Sequence, residues 1–128
     1  MRILIADADD FEARIYVRAF QTRRYDVDVV GDGETCLIEA QTHRPDVIVL
    51  DYILPHRGGF AVLEGLRADE RTARIPVVVL ARGVQSHDVD QTAVFGSYPF
   101  FIKPYTHPET VVQRVELLMQ EGLRPLSI

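Results

Sequence analysis

Four short apolar runs punctuate the chain: Ile3-Leu4-Ile5-Ala6, Val47-Ile48-Val49-Leu50, Val77-Val78-Val79-Leu80 and Phe100-Phe101-Ile102. Each is rich in β-branched or aromatic residues and too short to stand as a helix, so each reads as a strand. None alternates apolar with polar residues, which suits strands covered on both faces, as in a parallel sheet. A fifth stretch, Asp26-Val27-Asp28-Val29-Val30, alternates at its start and suits an edge strand with one wetter face.

Helical spacing fills the intervals. Asp10 is expected to cap a helix carrying Phe11, Ile15 and Ala19, with Tyr16 and Phe20 beside them. The stretch 33–42 contributes Leu37 and Ala40, and 59–69 sets Phe60, Leu63 and Leu66 on one stripe. Pro108 suits a first helical position and leads into Val111, Val112, Val115, Leu118 and Met119. The stretch 85–95 is the weakest, with only Val89, Ala93 and Val94 to bury. Strand followed by helix, repeated five times, implies an α/β domain with a doubly wound parallel sheet and right-handed crossovers. Ligands of such sheets bind beyond the carboxyl ends of the strands, where the winding direction reverses.

Those ends carry Asp7, Ala8, Asp9 and Asp10 after the first strand, Asp51 after the third, Ala81-Arg82-Gly83 after the fourth and Lys103-Pro104 after the fifth. Clustered acids repel a nucleotide phosphate, and the first turn lacks the glycines that let amides cradle one. The same acids suit a hard cation such as Mg²⁺. They also suit a carboxylate nucleophile that accepts a phosphoryl group, with a lysine balancing its charge.

Composition narrows the class. The 128 residues are 47% hydrophobic and 26% charged, enough for one self-sufficient core. A net charge of −5 disfavours nucleic acid and anionic membrane, and no apolar run is long enough to span a bilayer. The lone Cys36 excludes an internal disulfide framework, so a cytoplasmic location is expected. The expected organisation is one domain over 1–122 and a C-terminal tail over 123–128. Unless the chain was cut from a longer one, any effector action comes through contacts made by this domain.

Three marks, ILIADADD, VIVLDYILPHRGGF and FFIKPY, together resemble the receiver domains of bacterial two-component response regulators over about residues 2–121. Pro55 and Gly59 keep the family's spacing from Asp51, and Gly96 lies seven residues before Lys103. The resemblance implies a flavodoxin-like (βα)5 domain with strand order 2-1-3-4-5 and a phosphorelay role. It makes Asp51 the phosphoacceptor, served by a histidine kinase or small phosphodonor, and Lys103 the phosphate-contacting lysine. Asp7, Asp51 and the main chain of Ile53 become ligands of Mg²⁺, and Phe100 the switch aromatic. Phosphorylation would then bias the surface of the fourth helix, fifth strand and fifth helix toward a protein partner or output domain, with homodimerisation through that face as an option.

Three positions depart from the family pattern. Ala8 stands where a second acid ligates the metal, and Ala81 stands where a Ser or Thr hydroxyl meets the phosphoryl group. Arg82 replaces a small residue, as a built-in cation or as an obstruction to the donor. Mg²⁺ binding is therefore expected to be weak, in the millimolar range or beyond as an order of magnitude, and the switch loosely coupled. Two readings stay open: a receiver phosphorylated on Asp51, and an interaction module with a receiver fold that works without phosphorylation. Neither is an enzyme with turnover, and Ile53 leaves no general acid two residues after Asp51 for a phosphatase. Plainer readings cover the rest: Asp9 and Asp10 as helix-capping acids, the four histidines as surface groups and Cys36 as a buried structural thiol. Arg23-Arg24 and Arg67, Arg71 and Arg74 read as solvated faces.

Overall fold

The computed structural model describes residues 1–82, 100–103 and 107–123. The elements are β1 (Arg2–Ala6), α1 (Asp10–Gln21), β2 (Asp26–Val30), α2 (Gly33–His43), β3 (Val47–Asp51), α3 (Gly59–Ala68), β4 (Val77–Arg82), β5 (Phe100–Lys103) and a C-terminal helix (Pro108–Leu123). The five strands form one parallel sheet in the order β2-β1-β3-β4-β5. The helix expected over 85–95 lies outside the described residues, as do Gly83, Gly96, Pro104, Tyr105 and residues 124–128.

Alternate residues of β1, β3 and β4 feed two cores. On one face Leu4, Ile48, Leu50 and Val79 pack with Cys36, Leu37 and Ala40 of α2 and Val62, Leu63 and Leu66 of α3. On the other, Ile3, Ile5, Val49 and Leu80 meet Tyr16 and Phe20 of α1 and Val111, Val112, Val115 and Met119 of the C-terminal helix. Both faces being covered explains why β1, β3 and β4 read as unbroken apolar runs. By contrast β2 pairs on one side only and leaves Asp26, Asp28 and Val29 exposed, the wetter edge its alternation foretold.

The sequence reading of α1 needs two corrections. Its N-cap is Asp9, whose side chain accepts the amides of Phe11 and Glu12, and Asp10 is the first helical residue. The buried stripe is Ala13, Tyr16 and Phe20, while Phe11 and Ile15 are 76% and 42% exposed. Moving the cap by one position does not decide the stripe. The sheet does, by presenting its groove to Tyr16 and Phe20, whose large rings bury more area than Ile15 would.

Arg23, expected on a solvated face, closes the lower end of this layer. It pairs with Glu109 and, at 3.0 Å, with Glu116 of the C-terminal helix, and Tyr25 donates to Glu116 at 3.2 Å.

Backbone proximity sets the loop after β3. Gly33 donates to the Pro55 carbonyl at 3.1 Å and Glu34 to that of His56 at 2.9 Å, tying the start of α2 to this loop. His56 and Arg57 take left-handed φ of 49° and 87° to make the turn. A Cβ on Gly33 would meet the Arg57 carbonyl oxygen at 2.1 Å, and one on Gly59 would meet Tyr52 Cα at 2.7 Å. Gly33→Ala is therefore expected to lower stability by roughly 1–3 kcal/mol in urea denaturation. Gly31→Ala, where a methyl meets nothing within 4 Å, should leave it nearly unchanged.

Candidate functional site

The winding direction reverses between β1 and β3, the adjacent strands from which the chain departs to opposite sides of the sheet. Asp7 follows β1 and Asp51 ends β3, so the two carboxylates meet at this switch point. Both are buried, at 2% and 4% exposure. Backbone amides hold them: Asp9 N donates to Asp7 Oδ1 at 2.9 Å, and Ile53 N donates to Asp51 Oδ1 at 3.2 Å. The amide of Asp7 continues the β1–β2 pairing by donating to the Val30 carbonyl, and that of Tyr52 donates to Leu80 at 2.7 Å. An open cleft above is lined by Asp7, Ala8, Asp9, Asp10, Asp51 and Ile53.

Of the expected site residues, Asp7, Ala8, Asp51 and Ile53 thus come together. Ala81 is buried within β4, one position past Leu80, which pairs with Asp51. Arg82 and Lys103 are register partners at the carboxyl ends of β4 and β5. Lys103 ends β5, two residues beyond Phe101, the register partner of Leu80. Phe100 opens β5 opposite Val79. Asp9 is committed to capping α1, as expected of it.

One acid escaped the sequence reading. Glu12, in the first turn of α1, places a carboxylate oxygen within 4.8 Å of oxygens of both Asp7 and Asp51. The available signal was its spacing three residues after Asp9, visible once Asp9 rather than Asp10 is taken as the cap. Three carboxylates converging beside the Ile53 main chain form a hard-oxygen donor set that fits Mg²⁺.

Among the described residues, other titratable groups pair on the surface. His43 pairs with Glu39 at 2.8 Å on the surface of α2, and Arg71 binds Asp69 through two nitrogens at 3.0 and 2.7 Å. Among the described residues no helix is long and apolar enough to cross a membrane. Cys36 is fully buried, and that burial, with a smaller push from the Asp32 charge, raises its thiol to about 12. A thiol so protonated is a poor nucleophile. Ellman's reagent at pH 8 should leave the native protein unmodified over minutes and label it at once in guanidinium.

A parallel, doubly wound sheet with a carboxylate pocket at its switch point defines a class of α/β domain. Within that class the chain belongs to the response regulator receiver domain family, whose model matches residues 3–116. It is 32% identical to the DNA-binding response regulator MtrA of Mycolicibacterium smegmatis over 94% of this chain and 51% of that protein. It is 36% identical to the DNA-binding dual master transcriptional regulator RpaA of Synechocystis over 93% of this chain and 49% of that protein. The chain thus spans about half the length of these curated relatives. Among solved structures, the receiver domain of Francisella response regulator 1452 matches with a TM-score of 0.83 and 26% identity, covering 94% of this chain and 98% of that one. The signal receiver domain of a Syntrophus aciditrophicus histidine kinase shares the fold at a TM-score of 0.89 and 24% identity, over 99% and 96% of the two chains. This is a receiver domain of the two-component kind, a signalling module of a family that binds Mg²⁺ at its acidic site.

Proposed function

We propose that the domain accepts a phosphoryl group on Asp51 and relays its arrival through the protein surface, with metal binding and switching both weakened by its own substitutions. The observation that carries this reading is the position of Asp51. It ends β3, is buried beside Asp7 at the switch point, and has one oxygen fixed by the Ile53 amide. A carboxylate oxygen of Asp51 attacks the phosphorus of a kinase phosphohistidine or of a small acyl phosphate. The bond from phosphorus to the leaving nitrogen or oxygen breaks, and an acyl phosphate forms. Asp7, Asp51 and the Ile53 carbonyl would hold Mg²⁺, which would supply positive charge for the phosphoryl oxygens, and Lys103 would balance the remaining charge from the end of β5.

The substitutions act on separate steps. Ala8 removes one protein oxygen and keeps Mg²⁺ affinity on the order of millimolar or weaker. Ala81 offers the phosphoryl group no hydroxyl, so a charge-assisted hydrogen bond of about 1.5–3 kcal/mol is missing from the active state. That is comparable to the gap a two-state switch must overcome, so phosphorylation moves Phe100 and the neighbouring surface only partly. Arg82 stands beside Lys103 in register, as a resident cation or a barrier to the donor. The partner surface comprises the 85–95 segment, β5 and the C-terminal helix, and the domain has no turnover of its own.

The buried methyl of Ala81 favours a second reading, a module that binds its partner without phosphorylation. Incubation with acetyl phosphate and Mg²⁺, followed by intact mass measurement, separates the two. The relay reading expects one added phosphoryl group that Asp51→Asn abolishes. No adduct, under conditions that label an ordinary receiver, leaves the phosphorylation-independent module.

A further inference from the structure

Ala8 leaves the acidic pocket one oxygen short, yet a third carboxylate is present. Glu12 approaches Asp7 and Asp51 from the first turn of α1, half-buried, with carboxylate oxygens of all three within 4.8 Å of one another. One hydrogen bond fixes its backbone at the rim: the Asp9 side chain accepts the amide of Glu12 at 3.2 Å. From there its carboxylate stands among the acids of the pocket.

We infer that Glu12 is the third carboxylate ligand of the divalent cation, replacing from the helix the acid that position 8 no longer supplies from the strand end. This rests on reading the pocket as a metal-assisted phosphosite. Around Mg²⁺, with bonds of about 2.1 Å, adjacent oxygens stand about 3.0 Å apart and opposite ones about 4.2 Å. Rotation of the three carboxylates, whose oxygens lie within 4.8 Å of one another, would bring them to that spacing. Glutamate has one more rotatable bond than aspartate to immobilise, so it binds the ion less firmly than an aspartate at position 8 would. Affinity is retained but reduced.

Mn²⁺ binding, read from water-proton relaxation, tests this on the wild-type chain and on Glu12→Gln, Ala8→Asp, Asp7→Asn and the Glu12→Gln/Ala8→Asp pair. Metal-free circular dichroism and thermal melts establish that each variant is folded. Glu12→Gln is expected to weaken binding roughly tenfold or more, and the added Ala8→Asp to restore it to the wild-type level or better. Binding by Glu12→Gln within about twofold of wild type, with Asp7→Asn abolishing it, would overturn the role of Glu12 and leave the pocket reading standing. Binding by Ala8→Asp but not by the wild type would do the same. Binding by neither would overturn the pocket reading and this inference together.

Discussion

Two carboxylates held out of water, side by side, are the constraint around which the rest of the structure is arranged. Their oxygens lie within 4.8 Å of each other, where unit charges repel by at least roughly 3–4 kcal/mol at an effective dielectric near 20. Burial adds a desolvation penalty on each. The chain meets this with oriented backbone: the Asp9 and Ile53 amides point at Asp7 and Asp51, and no buried side-chain oxygen or nitrogen among the described residues lacks a partner. Those amides are available because β1 passes into a capped helix and β3 into a turn. The turn in turn depends on Gly33 and Gly59, whose hydrogens leave room for the Arg57 carbonyl and for Tyr52. The residual negative potential calls for positive charge, and the register brings the ends of β4 and β5, with Arg82 and Lys103, to the same rim.

Fold and site were legible in the sequence to different depths. Strands were readable because double coverage forbids polar residues at Ile3–Ala6 or Val47–Leu50, whatever else the chain does. The switch-point acids were readable because their chemistry follows from where a strand ends. The stripe of α1 was not, since Phe11, Ile15 and Ala19 offer as regular a spacing as Ala13, Tyr16 and Phe20, and only the groove of the sheet chooses between them. Glu12 was missed for a related reason. Which way a first-turn side chain points depends on where the helix begins, and helix starts are uncertain by a residue or two from sequence. Neighbouring acids at 7, 9, 10 and 12 look equivalent as letters, yet one is a strand-end ligand candidate, one a cap, one a first-turn residue and one a member of the pocket.

The alanines at 8 and 81 are tolerated by the fold for a plain physical reason. Alanine is small, needs no hydrogen-bond partner, and sits at both positions without strain or an unsatisfied group. Neither position asks the hydrophobic layers for a hydrogen-bond partner, so the packing of the two cores does not depend on a polar group at either.

The exposed acids of β2 bear on how copies of the domain meet. An unpaired outer strand normally offers its amides and carbonyls to any extended chain nearby. Here Asp26 and Asp28 line that border, and Arg2 reaches Asp28 from the adjacent strand at 3.6 Å. Two such borders brought together would set like charges face to face, which disfavours a sheet continued from one molecule into the next on that side. On its own border, the charge pattern of the outermost strand works against fibre-like stacking.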